Sequence, residues 1–72
     1  MTVFGQRIKE LRESKSLTQD ALAKRFKMSV PAYQLYEHGK GFPTVKRLIE
    51  IADFFNVSLD YLVGRSDVKE RR

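Results

Sequence analysis

The sequence predicts an all-α domain of five short helices. Apolar residues recur at intervals of three and four along most of the chain, which is the spacing of one face of a helix. Four of these segments begin just after a residue that can cap a helix, at Thr18, Ser29, Thr44 and Ser58. Residues that favour a left-handed helix stop follow the last three segments, at Gly39, Asn56 and Gly64.

The first helix is predicted from Phe4, Ile8 and Leu11, which follow one another at helical spacing. Charged residues occupy most of the positions between them, and the helix is expected to end within residues 14–16. The face that carries the three apolar side chains should therefore lie against the rest of the domain.

The second and third helices are short and follow each other closely. Leu22 and Phe26 mark the apolar face of the second helix, which begins after Thr18. The third helix begins after Ser29 and must stop at Gly39, so it has only about eight or nine residues. Because helices this short can bury their apolar stripes only by crossing at a steep angle, the segment predicts a helix-turn-helix arrangement.

A helical wheel divides the third helix into two faces. Tyr33 and Tyr36 fall on the face that is predicted to be buried. The opposite face is predicted to be available to a partner, and it carries Val30, Pro31, Gln34, Leu35 and His38.

The rest of the chain predicts two further helices and the end of the domain. The fourth helix carries apolar residues from Val45 to Phe55, and the fifth runs from Leu59 to Val63. We therefore predict one domain over residues 1–64. Residues 65–72 are too polar to pack by themselves and are predicted to form a charged, flexible tail.

Composition limits the classes of protein that fit. A chain of 72 residues, 42% apolar and 32% charged, predicts one small soluble domain. It has no cysteine and no apolar run near the roughly 18 residues that span a membrane, so we expect a cytoplasmic protein without disulfides or membrane contact. The formal net charge of +5 permits a nucleic-acid partner but does not require one.

The sequence does not predict an enzyme. His38 is the only histidine, and no acidic residue stands at the spacing of a metal site with it. The serines lack a recognisable base and orienting group, which nucleophilic catalysis requires. We therefore expect neither catalytic residues, nor a metal, nor a cofactor.

Polar residues at the ends of the helix pair have the chemistry of phosphate contacts. Gln19 and Ser29 stand at helix starts, where unpaired backbone N–H groups attract phosphate. His38 and Lys40 stand on either side of Gly39, where the third helix is predicted to stop. If the partner is a nucleic acid, as the net charge permits, we predict that all four contact its phosphates. The alternatives are solvated surface side chains and, for Ser29, a helix cap alone.

The exposed face of the third helix contains the candidates for base readout, Val30, Pro31, Gln34 and Leu35. Gln34 can pair through its carboxamide with an adenine edge. The other three side chains offer only apolar contact, for example with thymine methyl groups. The alternative is that these apolar residues form a docking patch for another protein.

Motifs spread over residues 5–64 fix cap, core, turn and closing-helix positions together. They are Ile8 to Glu13, Leu17-Thr18-Gln19, Ala23, Ser29, Tyr36 to Lys40, Pro43 and Val57 to Leu62. These motifs resemble the Cro/cI-type (XRE) helix-turn-helix family of phage repressors and related regulators. The resemblance implies a five-helix, lambda-repressor-like DNA-binding domain that binds operators as a homodimer, with the third helix in the major groove. It also implies a structural ion pair between Arg12 and Glu37.

Three positions depart from the family pattern. Lys27 stands where the family most often has glycine, which costs about 1–2 kcal/mol if its backbone is left-handed. Tyr33 replaces the usual isoleucine or valine, and its hydroxyl needs a partner. The groove-facing positions hold apolar residues where relatives often carry polar ones.

Together these observations predict a sequence-specific double-stranded DNA-binding transcriptional regulator. It is expected to be a repressor that binds a palindromic operator as a dimer. The alternative function is a protein-interaction module, antitoxin-like or the target of an anti-repressor, that uses the apolar face of the third helix. Candidates for the dimer surface are Phe54, Val57, Leu59, Tyr61 and Val63.

Overall fold

The computed structural model describes residues 2–70 and contains five α-helices there. They are α1 (Thr2–Ser14), α2 (Gln19–Arg25), α3 (Val30–Glu37), α4 (Val45–Phe55) and α5 (Leu59–Leu62). The predicted all-α, five-helix fold is confirmed. None of the helices within residues 2–70 is long and apolar enough to cross a lipid bilayer.

Side-chain caps begin four of the helices at the predicted residues. The hydroxyl groups of Thr18 and Ser29 accept the backbone N–H three residues further on, at 3.0 and 3.2 Å. Thr44 and Ser58 cap α4 and α5 in the same way. Each cap satisfies one of the N–H groups that the first turn of a helix leaves unpaired, so the helix starts are specified locally.

Left-handed backbone conformations set the turns between helices. Gly39 has a φ of 75° after α3, and Asn56 has a φ of 56° where α4 ends. Lys27, in the turn between α2 and α3, has a φ of 57°. A left-handed lysine is less favourable than glycine, so this turn carries a local strain.

The core is built around α1 and α3. α1 packs against α3 and α5, α2 packs against α3, and α4 packs against α5. The largest fully buried side chains are Phe4, Ile8, Leu22, Phe26, Tyr33, Ile51 and Leu62. Because α1 and α2 both support α3, the orientation of α3 is fixed from two directions.

Gly5 allows the close approach of α1 to the end of α3. A Cβ atom at this position would lie 2.5 Å from the carbonyl oxygen of Tyr36 and 2.8 Å from that of Glu37. Both distances are shorter than non-bonded atoms tolerate, and both neighbours are backbone atoms. The sequence analysis gave no role to this glycine.

Residues 65–70 fold back onto α1 and α5. The backbone N–H of Ser58 donates to the carbonyl oxygen of Lys69 at 2.9 Å. The Arg7 guanidinium donates to the carbonyl oxygens of Tyr61 and Ser66 and to the carboxylate of Asp67, at 2.5, 2.6 and 2.7 Å. The flexibility of this segment stays a prediction, and residues 71 and 72 lie outside the described residues.

The burial of the C-terminal region changes the candidates for a dimer surface. Val57 and Tyr61 are buried in the core, so their assignment to an exposed dimer surface was wrong. Phe54 and Val63 are half-buried, and Leu59 is exposed. The Arg7 guanidinium lies over the face of the Tyr61 ring, 4.2 Å from its centroid.

Candidate nucleic-acid interface

The face of α3 that the wheel assigns to a partner is accessible in part. Pro31, Leu35 and His38 are exposed, whereas Val30 and Gln34 are half-buried. Val30 packs partly against the core, which leaves less of it for a partner. Tyr33, on the opposite face, is fully buried. α3 therefore presents a face that is polar at Gln34 and His38 and apolar between them.

A buried carboxylate at the end of α3 connects three helices. Arg12 from α1 donates to Glu37 through Nε and Nη2, at 2.7 and 3.2 Å. The Tyr33 hydroxyl donates to the same carboxylate at 2.5 Å, which gives the hydroxyl of the unusual core tyrosine its partner. Only 3% of the Glu37 side chain is exposed. The structure thus contains the Arg12–Glu37 ion pair that the resemblance implied.

The ionisation of this cluster is set by burial and by hydrogen bonds. Burial alone would raise the pKa of the Glu37 carboxyl, but the hydrogen bonds from Arg12, Tyr33 and Gln19 outweigh it and hold that pKa below its usual value. Burial and the bond to Glu37 raise the pKa of Tyr33. The same carboxylate raises the pKa of Arg12. Glu37 is therefore charged and Tyr33 protonated at neutral pH.

Gln19 carries this network from the core to the surface of α3. Its Nε2 donates to Glu37 at 3.0 Å, and its Oε1 accepts a hydrogen bond from Nε2 of Gln34 at 3.0 Å. Because the Glu37 carboxylate can only accept, the amide of Gln19 has one favourable orientation, and it then fixes that of Gln34. The result is a polar chain, Arg12–Glu37–Gln19–Gln34, that we call the α3 network.

Sequence reasoning assigned separate roles to Gln19 and Gln34 and missed their contact. The spacing indicates only that Gln34 and Glu37 are close, because they are three residues apart on α3 and so lie on neighbouring turns. The register of α2 against α3, which brings Gln19 between them, depends on tertiary packing. It is not visible in the spacing of either helix.

The four predicted phosphate contacts lie near the two ends of α3. Ser29 is at its start, and Gln19, which contacts Glu37, lies near its end together with His38 and Lys40. Gln19 is half-buried at the start of α2, and Ser29 is exposed at the start of α3, where its hydroxyl already serves as a cap. His38 and Lys40 are exposed just beyond the other end of α3. Backbone bonds from Lys40 and Gly41 to the carbonyl oxygen of Leu35 hold this second end in place.

The apolar part of the α3 face extends beyond the helix. Leu35 and Phe42 are about half exposed. The Phe42 ring packs edge-on against Phe4 at 5.3 Å between centroids, so its position is held from below. Gly41 passes close over Leu35, because a Cβ atom on Gly41 would lie 3.2 Å from the Cβ atom of Leu35.

A cationic depression lies between the end of α2 and the start of α4. Its volume is about 330 Å³, and it is lined by Arg25, Phe26, Lys27, Lys46, Arg47 and Glu50. The Arg47 guanidinium donates to the carbonyl oxygen of Phe26, at the end of α2. Arg47 therefore caps one helix from the next and has a structural role in this depression.

Comparison with known proteins identifies the family. Residues 8–62 match the helix-turn-helix family. The chain is 41% identical over 68 residues to the uncharacterized HTH-type transcriptional regulator YqaE of Bacillus subtilis, covering 93% of this chain and 59% of YqaE. It is 35% identical over 65 residues to the HTH-type transcriptional activator BcrR of Enterococcus faecalis, covering 90% of this chain and 32% of BcrR.

A third relative comes from a phage. The chain is 37% identical over 60 residues to the cryptic phage CTXphi transcriptional repressor RstR of Vibrio cholerae, covering 83% of this chain and 54% of RstR. The chain thus spans between about a third and three fifths of the length of these relatives. It belongs to the Cro/cI-type (XRE) helix-turn-helix family, whose members are DNA-binding transcriptional regulators and not enzymes.

Proposed function

We propose that this chain is the DNA-binding part of a transcriptional repressor that recognises a specific duplex sequence through the major groove. The observation that carries the proposal is the α3 network, which holds Gln34 in one orientation on an otherwise accessible helix face. A side chain that recognises a base edge benefits from a fixed orientation. A freely rotating amide loses conformational entropy on binding and can pair with more than one base.

The dimensions of α3 suit the groove. An α-helix with its side chains is about 10–12 Å across, which matches the roughly 12 Å width of the major groove, and the eight residues of α3 make it about 12 Å long. Phosphate contacts by Ser29 at the start of α3 and by Gln19, His38 and Lys40 near its end then fall near the two strands that border the groove. These contacts fix the position of α3 and supply affinity without sequence preference.

Base readout is assigned to Gln34, Leu35, Pro31 and Val30. Nε2 of Gln34 donates one hydrogen to Gln19. The second hydrogen of Nε2 and the Oε1 of Gln34 are left for an adenine edge. Leu35 and Pro31 are exposed beside it and have the chemistry for thymine methyl groups. Val30 contributes less, because it is partly packed against the core.

Repression follows if two copies bind neighbouring half-sites and exclude RNA polymerase. We propose a palindromic operator whose half-sites are about 34 Å apart, one turn of the duplex, and a dimer with matching symmetry. The printed name of RstR, a phage repressor, supports repression. BcrR is named an activator, but this chain spans only 32% of it.

Selection of bound duplexes from a random library, followed by titration at several salt concentrations, tests the proposal. Gln34→Ala is expected to relax specificity at one base pair by about 1–3 kcal/mol. Lys40→Ala should weaken binding to all sequences alike and reduce the salt slope by about 1. Lys9→Ala, on the exposed side of α1, is the matched control and should change neither. A chain that prefers no sequence over random duplex would contradict the proposal.

The contact between Gln19 and Gln34 gives a second test of the same site. The single variants Gln19→Ala and Gln34→Ala should each reduce specificity. The double variant should lose less specificity than the sum of the two single losses, because either change alone already removes the oriented Gln34 amide. Additive losses would mean that the two amides act independently on DNA.

A second candidate function is favoured by the exposed apolar side chains of Leu35 and Phe42. They suit a protein partner that docks on the α3 face, such as an anti-repressor. Binding of such a partner would depend little on salt and would be lost in Leu35→Ser. The unchanged chain would then bind DNA only in the non-specific range of about 10⁻⁴–10⁻⁶ M. DNA binding with a steep salt slope and base preference separates the first function from this one.

A further inference from the structure

Two aliphatic side chains lie on the solvent side of α4. Val45 is 73% exposed and Ile49 is 42% exposed. Because they are four residues apart, they lie one turn apart on the same face of the helix. The buried residues of α4 are Leu48, Ile51, Ala52 and Phe55, which form the adjacent stripe of the helix. Val45 and Ile49 therefore form an apolar surface, the α4 patch, that the described part of the chain leaves accessible.

We propose that the α4 patch binds the α4 patch of a second copy of this chain, with the two helices antiparallel. The proposal rests on the proposed function, since an operator with two half-sites requires two copies. A twofold interface uses the same surface on both copies, so the surface must complement itself in shape and charge.

The charges beside the α4 patch meet this requirement. Lys46 and Glu50 are exposed and lie along one edge of the patch. If Val45 of each copy faces Ile49 of the other, each Lys46 lies about 3 Å along the helix axis from the Glu50 of the other copy. An antiparallel pair thus combines apolar contacts with two attractive charge pairs. In a parallel twofold pair the Lys46–Glu50 edges of the two copies would lie on opposite sides of the interface, so these charges would not pair across it.

The small size of the α4 patch determines how the pairing acts. A stable interface buries about 800 Å² on each partner, and two partly exposed aliphatic side chains supply much less. Pairing of free chains should therefore be weak. Two copies on adjacent half-sites have a high effective concentration, so the same contact should appear there as cooperative binding.

Charge exchange tests the pairing without DNA. Lys46→Glu places two glutamates opposite each other at both ends of the interface, and Glu50→Lys does the same with lysines. Sedimentation equilibrium of the 72-residue chain at up to about 1 mM should detect self-association of the unchanged protein. Each single variant should weaken this association by about tenfold or more, and the double variant should restore it.

Controls and a direct contact measurement make the test specific. Lys9→Glu changes the net charge as Lys46→Glu does, but on α1, and should leave the association unchanged. Circular dichroism checks that each variant is folded, and Val45→Ser gives a neutral variant that should also weaken association. In a mixture of isotope-labelled and unlabelled chains, methyl NOEs should connect Val45 of one copy to Ile49 of the other.

The pairing and the proposed function fail in different ways. A chain that stays monomeric at about 1 mM, or single variants that associate as the unchanged protein does, would overturn the α4 pairing. Binding of a half-site duplex by such a chain would leave the proposed function intact. Self-association with the predicted charge dependence but no preference for any duplex would support the pairing and overturn the proposed function.

Discussion

Two arginines on α1, five residues apart, connect distant parts of the chain in opposite ways. Arg12 contacts the carboxylate of Glu37, whose side chain is 3% exposed. Arg7 contacts the carboxylate of Asp67, whose side chain is 98% exposed, and two backbone carbonyl oxygens. The two ion pairs have the same length, 2.7 Å between nitrogen and oxygen. Equal length therefore does not imply equal contribution to stability, because burial differs.

The difference lies in what each pair leaves behind when it is broken. Removing Glu37 takes the closest carboxylate from the mostly buried Arg12 guanidinium, which keeps the carbonyl oxygen of Leu17. It also removes the acceptor of the Tyr33 hydroxyl and of Nε2 of Gln19. Removing the Asp67 carboxylate leaves Arg7 with the carbonyl oxygens of Tyr61 and Ser66 and with the Tyr61 ring. The Glu37 carboxylate organises the α3 face, whereas the Asp67 carboxylate adds to a contact that backbone groups already make.

The largest expected effect is that of Glu37→Ala. Loss of this carboxylate should reduce the free energy of unfolding by about 3–5 kcal/mol, since it leaves a buried charge without its partner. Urea unfolding followed by circular dichroism measures the change. If the variant does not fold well enough to measure, Glu37→Gln keeps the shape and should still be clearly destabilised.

Asp67→Ala is the matched change at the other arginine. It should cost less than about 1 kcal/mol, as exposed ion pairs do. A loss at Asp67 as large as that at Glu37 would show that burial is not the deciding difference between the two pairs. A loss below about 1 kcal/mol for Glu37→Ala would also show that burial is not the deciding difference.

Acid gives a further test of the buried Arg12–Glu37 pair. The pKa of Glu37 is lower in the folded chain than its ordinary value of 4.5, so its charge stabilises the fold at neutral pH. This contribution is fully present above pH 4.5 and is lost as the pH falls through the lower folded pKa. The difference in stability between the unchanged protein and Glu37→Gln should therefore shrink below pH 4.5. A difference that stays constant during acidification would contradict the role of the charge.

Gly5→Ala is expected to have an intermediate effect on the α3 side of α1. The added methyl group would meet two backbone carbonyl oxygens at the end of α3, and backbone atoms cannot move aside cheaply. Overpacking of this kind costs about 1–3 kcal/mol, more than the gain of up to about 1 kcal/mol in helix propensity. Thermal unfolding of Gly5→Ala and of Gln6→Ala, which is exposed, gives the comparison. A stabilised Gly5→Ala variant would mean that α1 and α3 are not in close contact.

The fold could be predicted from the sequence because its signals are local. Thr18, Ser29, Thr44 and Ser58 each cap the helix that the apolar spacing implied, and Asn56 ends α4 in the left-handed conformation. The role of Gly5 could not be read in this way, because it depends on how closely α1 passes α3. The contact between Gln19 and Gln34 likewise depends on the register of two helices, not on the spacing within either one.

Lys27→Gly should give a small effect in the opposite direction. Lys27 lies outside both arginine contacts, is exposed, and has a φ of 57°, where an L-residue other than glycine is strained by about 1–2 kcal/mol. Glycine removes this strain but gains freedom in the unfolded chain, so a net stabilisation of about 0.5–1 kcal/mol is expected. The midpoint of urea unfolding should rise while its slope stays constant. Lys24→Gly, within α2, is the control and should be destabilised by about 1 kcal/mol, because there the backbone is helical. If both glycine variants lose stability, the left-handed turn at position 27 is not the strained element that its backbone angle indicates.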